Sequence, residues 1–126
     1  MTLLLDTHIL LWAAEGELPE SAAFFINARA NTLLFSSASL WEIVIKHGLG
    51  RKDFIVDPVS LYNGLLYAGY NELAVSGQHI LLVSSLPAIH KDPFDRILIA
   101  QAASEHITLL TADKMIAQYP GSIICI

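Results

Sequence analysis

Four acidic residues that lie far apart in the sequence are predicted to meet at one edge of a β-sheet. Asp6 directly follows an apolar segment at residues 2–5, and Asp113 stands two residues after another at 107–111. Glu42 and Asp95 lie early in segments with the apolar periodicity of helices. Helices that leave parallel strands begin where those strands end. All four carboxylates are therefore expected at the carboxyl edge of the sheet, where open α/β sheets place their sites.

Such a group of carboxylates is costly unless a cation joins it. Two bare carboxylates about 4 Å apart repel by about 4 kcal/mol at an effective dielectric near 20. Oxygen ligands from Asp and Glu suit Mg²⁺ or Mn²⁺. Glu42 adds to the argument because the other residues of 40–45 are all apolar, and a carboxylate on so apolar a helix needs a partner. The four acids therefore predict a divalent-metal site.

Each acid also has a structural interpretation. Asp6 and Asp113 can cap the helices that follow them, and Asp92-Pro-Phe-Asp95 resembles a capping box with Asp92 as the cap. Glu42 can pair with the lysine one helical turn later. Each of these interactions contributes about 1 kcal/mol or less. That is smaller than the repulsion between gathered carboxylates, so the structural interpretation weakens when the four acids are taken together.

The rest of the sequence predicts the elements that would position these acids. Short apolar segments indicate strands at residues 2–5, 32–36, 71–75, 107–111 and 122–126. Helical periodicity, with Pro and Gly as start and stop signals, indicates helices at residues 9–14, 19–29, 38–48, 57–68, 77–86, 92–105 and 113–119. Ser37 or Ser39 is expected to cap the third of these. This alternation indicates an α/β fold with a mainly parallel sheet of about five strands, flanked by helices, in one domain over 1–126.

Composition limits the class of protein. The 126 residues are 54% hydrophobic and 15% charged, which excludes intrinsic disorder as the main state. The mean hydropathy of +0.53 is high for so short a chain, so apolar residues must stay outside and a partner is expected. No run reaches the roughly 20 apolar residues of a membrane span. The single cysteine, Cys125, fits a reducing cytosol, and the net charge of −5 argues against a general polyanion binder.

Four segments resemble those of PIN-domain proteins. They run from Met1 to Trp12, from Ser37 to Lys46, from His90 to Gln101 and from Thr111 to Asp113. Their spacing and the chain length are similar to the VapC-like ribonuclease toxins of bacterial type II toxin–antitoxin pairs. The resemblance spans essentially the whole chain. The first and third segments are specific, whereas Asp113 alone is a weak signal.

The resemblance implies a PIN-like three-layer fold and a Mg²⁺-dependent ribonuclease, cytoplasmic, usually dimeric and held inactive by a small antitoxin. Carried over by position, the catalytic and metal-binding residues are Asp6, Glu42, Asp95 and Asp113. A carboxylate-bound Mg²⁺ would bind a phosphate of structured RNA, such as tRNA or rRNA, and activate a water. The expected products carry 5′-phosphate and 3′-hydroxyl ends. Whether one or two ions bind stays open.

Several further residues are expected to support this site. Asp92 is an additional acid, interpreted first as a helix cap, and Thr111 is expected to orient a metal-bound water. Six basic side chains are candidates for RNA backbone contacts, with solvated surface charge as the alternative: Lys46, Arg51, Lys52, Lys91, Arg96 and Lys114. For Arg96 an internal salt bridge to Asp95 is a further alternative.

The histidines and aromatic residues have mainly structural interpretations. No two histidines have H-x-x-x-H spacing, so a zinc site is not expected, and His8 is expected to be packed or hydrogen-bonded. Trp12 and Trp41 are expected in the core or in a groove wall. An apolar and aromatic stripe between Leu61 and Tyr70 is expected to pack in the core, with an interface as the alternative.

Two other functions compete with the nuclease. A receiver-like phosphoacceptor domain has a similar length and acidic strand ends, but paired helices interrupt the simple strand–helix alternation here. A PIN-like module that binds RNA or protein without cutting is the non-enzymatic alternative.

Overall fold

The structure is a computed structural model that describes residues 1–126, and it contains five strands and six α-helices. The strands are β1 (Thr2–Leu5), β2 (Thr32–Ser36), β3 (Asn71–Leu73), β4 (Thr108–Thr111) and β5 (Ile123–Cys125). The helices are α1 (Thr7–Glu15), α2 (Glu20–Ile26), α3 (Ser37–Gly48), α4 (Pro58–Tyr67), α5 (Gly77–Val83) and α6 (Pro93–Glu105), with a short 3₁₀ helix at Ile116–Gln118. None of the six helices combines the length and the apolar character that crossing a lipid bilayer requires.

All five strands are parallel, in the order β3-β2-β1-β4-β5. In the central register, Leu4 lies beside Leu34 on one side and Leu109 on the other. The chain order reverses between β1 and β4, and open α/β sheets bind ligands at such a switch point, beyond the carboxyl ends of the strands. This architecture confirms the predicted α/β fold. It also places Asp6 and Thr111 at the switch point.

The central strands bury both faces and thereby divide the core in two. Successive side chains of a strand point to opposite faces. Leu3 and Leu5 accordingly pack in one cluster with buried residues of α1, α3 and α4, whereas Leu4 packs in a second cluster with Leu98 and Ile99 of α6. Helices therefore cover both faces of the sheet, which is the predicted three-layer arrangement and explains why β1 is apolar without alternation.

Three helices differ from their predicted limits, and at the ends of two of them a side chain bonds to a backbone carbonyl. The second helix ends at Ile26 rather than 29, where the Asn31 amide donates to the Phe25 carbonyl at 2.8 Å. The fifth ends at Val83 rather than 86, where the Ser84 hydroxyl donates to a carbonyl of the last turn. The predicted helix at 113–119 is only a 3₁₀ turn. Local side-chain bonds of this kind offer the backbone an alternative to the helix.

The start of α3 corrects the predicted cap. Neither Ser37 nor Ser39 caps this helix, because β2 passes into α3 without a loop. The cap is Ser36, the last residue of β2, whose hydroxyl accepts from the Ala38 N–H at 3.0 Å. The consequence for the site is a rigid strand-to-helix junction that places Glu42 early in α3.

The stripe in α4 is divided between core and surface. Leu61, Leu65 and Tyr70 are buried, as expected of core residues, whereas Leu66 and Tyr67 are exposed. Trp41 does not lie in the core, which was one of its two expected places, because 63% of this residue on α3 is exposed. These exposed side chains form part of the apolar surface that the high hydropathy predicts.

Candidate active site

A cavity of about 420 Å³ opens where β1 and β4 end. The four acids singled out from the sequence all line it, together with a fifth: Asp6, Glu42, Asp92, Asp95 and Asp113. Lys46 is the one lysine or arginine in its wall. The other lining residues are Thr7, His8, Leu11, Trp12 and Ala112. Because five carboxyl groups and only one ammonium group line it, the cavity has a negative electrostatic potential.

Asp6 is buried and fixed through both of its carboxylate oxygens. It caps α1, where its Oδ1 accepts from the Ile9 N–H at 3.0 Å. Its Oδ2 accepts a hydrogen bond from the Thr111 hydroxyl. Burial raises the pKa of Asp6 above its ordinary value, although these hydrogen bonds oppose the rise. The capping role and the position in the cavity therefore coexist in one side chain.

Thr111 links two of the predicted acids, Asp6 and Asp113. Its hydroxyl is completely buried, donates to Asp6 and accepts from the Asp113 N–H at 3.0 Å. Because its only hydrogen is directed at Asp6, Thr111 orients this carboxylate. It joins the ends of β1 and β4 across the switch point.

Glu42 has a buried carboxylate oxygen that lacks a hydrogen-bond partner. Only 9% of the residue is exposed. Its Oε2 lies 3.1 Å from Lys46 Nζ, which is the predicted pairing along the helix. Its Oε1 is buried and has no hydrogen-bond partner. An unpaired buried carboxylate oxygen is costly, and a bound cation would satisfy it.

Asp92 caps α6 in a way that leaves the neighbouring acid free for the cavity. Its Oδ1 accepts from the N–H groups of Phe94 at 2.8 Å and Asp95 at 3.2 Å. The reciprocal bond of a capping box is absent, because the Asp92 N–H donates to His90 Nδ1 at 3.2 Å. Asp92 is thus a helix cap, as first interpreted, and the expected capping box is only half formed.

Asp95 has the most perturbed ionisation in the cavity. Burial, followed by the negative charge of Asp92, raises its pKa to about 7. Glu42 and Asp6 raise the pKa further, while His90 opposes the rise. The charged form of Asp95 is therefore disfavoured until a positive charge joins the cluster.

His90 is a site residue that the sequence analysis missed. Its Nε2 lies 3.0 Å from Asp95 Oδ2 and 3.1 Å from Asp113 Oδ2. A ring nitrogen and one oxygen of each carboxylate lie within 4.8 Å of one another. The spacing of the histidines does not indicate a role for His90, because its partners are acids. The available signal was its place two residues before the cap Asp92.

Asp113 is the most accessible of the four predicted acids that the cavity brings together. Its Oδ1 accepts from the Met115 N–H at 2.8 Å, and its Oδ2 contacts His90. Partial burial raises the pKa of Asp113, but the hydrogen bonds from Met115 and His90 outweigh this and hold it below its ordinary value. Asp113 and Asp95 thus have pKa values shifted in opposite directions.

The basic candidates separate into three groups. Lys46 lies at the cavity and pairs with Glu42. Arg51 pairs loosely with Asp53 at 3.6 Å, and both side chains are largely exposed. The other three lysines are exposed without an ion pair: Lys52, Lys91 and Lys114.

Arg96 corrects the expected salt bridge to Asp95, because its hydrogen bonds go to other groups of the protein. Its guanidinium donates to the carbonyls of Val83 at 3.0 Å and Pro87 at 2.9 Å, and to the Tyr119 hydroxyl at 3.1 Å. It forms no salt bridge with Asp95, and its donors face the protein rather than a substrate. Arg96 holds the segment between α5 and α6.

Two aromatic pairs stand beside the acids. His8 is an exposed residue whose ring packs edge-on against Trp12 at 5.0 Å in the wall of the cavity. Trp41, next to Glu42 in the chain, meets Phe94 in the same manner at 5.3 Å. The rim of the site therefore combines acids with partly exposed aromatic rings.

The fold and this cavity define an α/β protein with a candidate divalent-metal centre at the switch point of a parallel sheet. The sequence model of the PIN domain matches residues 3–122, so the chain belongs to the PIN-domain family. A comparison with curated protein sequences finds no significant match.

Solved structures share this fold over nearly the whole chain. VapBC2 from Rickettsia felis, bound to a promoter DNA fragment, is 19% identical with a TM-score of 0.75, covering 99% of this chain and 98% of the other. DNA-bound VapBC from Salmonella typhimurium is 15% identical with a TM-score of 0.73 and the same coverage. VapBC-5 from Mycobacterium tuberculosis, of the VapBC family of toxin–antitoxin systems, is 17% identical with a TM-score of 0.61, covering 99% and 97%.

Proposed function

We propose that this protein is the toxin of a type II toxin–antitoxin pair, a VapC-like endoribonuclease that depends on Mg²⁺ or Mn²⁺ and cuts structured RNA such as tRNA or rRNA. Its membership of the PIN-domain family and a fold shared with VapBC structures support this function. The observation that carries the proposal is the gathering of five carboxylates around one cavity that has a single lysine.

The residues present fit a divalent cation. The cation would be held by Asp6, Glu42, Asp95 and Asp113. The buried Glu42 Oε1 has no hydrogen-bond partner and is therefore available as a ligand atom. When bound, the cation supplies charge neutralisation at the phosphate and lowers the pKa of a water. The cavity has oxygen ligands in its wall, which favours Mg²⁺ and Mn²⁺ over softer metals.

The chain prepares these carboxylates before any substrate arrives. Thr111 and the Ile9 N–H fix both oxygens of Asp6, and Lys46 holds one oxygen of Glu42. Ligands that are already oriented need little rearrangement when the reacting groups enter. Lys46 also places a positive charge in the cavity wall, where it can contact an RNA phosphate.

The exposed cations would bind the RNA backbone around the cavity. Lys91 and Lys114 each stand next to an acid of the cavity in the chain, and Arg51 and Lys52 lie in the loop after α3. Phosphate contacts of this kind position the substrate without reading its sequence, and they weaken as salt rises. We assign the backbone contacts to these four residues and Lys46, and not to Arg96.

Two apolar surfaces suit the expected protein partners in the cytoplasm. A groove of about 750 Å³ between the end of α1 and α4 is lined mostly by apolar residues, and its concave shape suits a segment of the antitoxin. The α3 stripe, formed by Trp41, Val44 and Ile45, lies on one exposed helix face. Such a face can pack against its own copy around a two-fold axis, so we assign it to the homodimer.

Replacement of Asp6 by Asn tests this function. The amide keeps the cap of α1 but lacks the charge that a cation needs. We expect Asp6→Asn to abolish Mg²⁺-dependent RNA cleavage and growth arrest on expression. Asp57→Asn is the matched control, because Asp57 caps α4 in the same way, away from the cavity. It should cut and arrest growth like the unmodified protein.

The readouts are cleavage of total RNA, mapped at the 5′ ends, and growth after induction. An Asp6→Asn protein as toxic as the unmodified one would show that the metal-site interpretation is wrong. If neither protein cuts RNA but both bind it, the function is that of a non-catalytic PIN-like binding module.

A further inference from the structure

His90 joins two acids of the cavity through a single N–H group. Its Nε2 lies 3.0 Å from Asp95 Oδ2 and 3.1 Å from Asp113 Oδ2. Asp95 belongs to the first turn of α6, whereas Asp113 follows β4, so the ring bridges two separate elements. The His90 side chain is only 16% exposed. This nitrogen is the one group that contacts both carboxylates.

Hydrogen bonding determines which ring nitrogen carries the hydrogen. The Asp92 N–H donates to His90 Nδ1 at 3.2 Å, so Nδ1 presents its lone pair. A neutral imidazole with an accepting Nδ1 carries its hydrogen on Nε2. That nitrogen is therefore a donor to the carboxylates and not a free ligand for a metal.

The backbone of His90 is held as firmly as its ring. The His90 N–H donates to the Tyr119 hydroxyl at 2.6 Å, and this tyrosine is buried. Arg96 donates to the same hydroxyl and to the Pro87 carbonyl, which ties down the segment that carries the histidine. Two polar side chains, the buried Tyr119 and the partly buried Arg96, thus hold the segment that carries the imidazole.

We propose that His90 is a positioning residue of the candidate metal centre, whose Nε2–H group holds Asp95 and Asp113 at the spacing at which one cation binds both. This inference rests on the proposed function. A carboxylate oxygen that accepts one hydrogen bond keeps a second lone pair for a ligand. Hydrogen-bond partners behind metal-binding side chains orient them, and their loss costs about 10- to 100-fold in metal affinity.

His79 provides a matched control within the same chain. Its Nδ1 accepts from the Ser76 N–H at 3.0 Å, and its Nε2 lies 3.0 Å from Glu105 Oε2. It repeats the hydrogen bonding of His90 at the start of another helix, α5. Its carboxylate partner lies at the last residue of α6, remote from the cavity. Loss of His79 should therefore affect stability without affecting a metal.

The test is Mn²⁺ binding to the full chain, measured by calorimetry, together with thermal unfolding in a chelator. We expect His90→Leu to bind Mn²⁺ about 10-fold or more weakly than the unmodified protein. His90→Gln should recover most of this affinity, because its amide places a donor near the position of Nε2. His79→Leu should lower the unfolding temperature and leave the Mn²⁺ affinity unchanged.

Equal or tighter Mn²⁺ binding by a folded His90→Leu would overturn the proposal. If that variant does not fold, His90→Asn replaces it, because its shorter amide reaches the position of Nδ1 but not that of Nε2. The proposal is supported if His90→Asn binds Mn²⁺ weakly and His90→Gln binds it strongly. Equal Mn²⁺ affinities of these two variants would overturn it. Nitrogen-15 NMR of the metal-free protein gives a direct check, since a hydrogen on Nδ1 would contradict the assigned ring state.

The same measurements separate this inference from the proposed function. An unmodified protein that binds Mn²⁺ but cuts no RNA contradicts the nuclease and leaves the role of His90 intact. An unmodified protein that binds no Mn²⁺ overturns both.

Discussion

Asp95 is the side chain at which the electrostatics of the cavity can be measured directly. Asp95 lies in the first turn of α6, a position at which the helix dipole normally favours a negative charge. Burial and the surrounding acids reverse that preference and raise its pKa to about 7. The residue therefore carries a proton in much of the metal-free protein near neutral pH.

We predict that metal-free protein loses stability as the pH rises from about 4 to about 7. A carboxyl group whose pKa rises from 3.8 to about 7 binds its proton more tightly in the folded state than in the unfolded state. Its contribution to the free energy of unfolding is full below the unfolded pKa and is lost as the pH rises through the folded one. Added Mg²⁺ should therefore stabilise the protein more at pH 8 than at pH 5, because it competes with this proton.

Unfolding midpoints at constant ionic strength, with chelator or with Mg²⁺, measure this effect. Asp95→Asn should flatten the slope between pH 4 and pH 7. Asp57→Asn should not, because hydrogen bonds from Ser60 lower the pKa of Asp57, so its contribution is lost only as the pH falls. An unchanged slope in Asp95→Asn would show that another group controls the pH dependence.

At the scale of elements, the start of α6 combines a structural cap with a charge that acts on the site. Asp92 accepts two backbone N–H groups of the first turn. Its negative charge is the second cause, after burial, of the raised Asp95 pKa. One side chain therefore stabilises the helix and tunes the acid one turn inside it.

Two substitutions of Asp92 should separate these effects. Asp92→Asn keeps a good cap, whereas Asp92→Ala should lower the free energy of unfolding by about 1 kcal/mol. Both remove the charge, so both should lower the pKa of Asp95. Chemical denaturation measures the first effect, and carboxyl NMR titration of Asp95 measures the second. If the pKa of Asp95 changes in Asp92→Ala but not in Asp92→Asn, the shift comes from fraying of the helix and not from the lost charge.

The elements were predictable from sequence where their signals are local. Asp57-Pro58 and Asp92-Pro93 mark helix starts that the structure reproduces at Pro58 and Pro93. The end of α2 was not predictable, because it depends on Asn31, which reaches back from beyond the helix. Periodicity describes a helix interior, but a tertiary hydrogen bond decides where the helix stops.

The same distinction applies to the candidate site. The meeting of Asp6 and Asp113 could be predicted, because the ends of parallel strands share one edge. The roles of His90 and Arg96 could not, because the His90 ring turns within a loop and the Arg96 guanidinium reaches from α6 back to the segment that precedes it. For Glu42, the apolar residues around it in the sequence predicted that its carboxylate needs a partner. They did not predict which of its oxygens would be left without a hydrogen bond.

At the scale of the whole molecule, the exposed apolar residues of α3 predict self-association. Trp41, Val44 and Ile45 lie on one helix face, and 63%, 48% and 42% of their surfaces are exposed. Burying this α3 stripe against a second copy would remove apolar surface from water. The stripe begins next to Glu42, so the dimer contact would adjoin the cavity.

We predict that Val44→Glu shifts the protein from dimer to monomer, because it places a charge in the centre of the α3 stripe. Val59→Glu is the matched control, since Val59 is 67% exposed on α4, outside the stripe. Sedimentation equilibrium of both variants and the unmodified protein gives the measurement. A Val44→Glu protein that stays dimeric would assign the contact to another face.

The sheet order described above also sets the order in which the cavity can be completed during synthesis. The Asp6 carboxylate meets a hydroxyl 105 positions further along the chain, because β4 inserts directly beside β1. A growing polypeptide therefore carries Asp6 without Thr111 and Asp113 until β4 and the residues after it have been made. A polypeptide that stops before β4 would lack both Asp113 and the Thr111 hydroxyl that orients Asp6, so it could not complete the cavity.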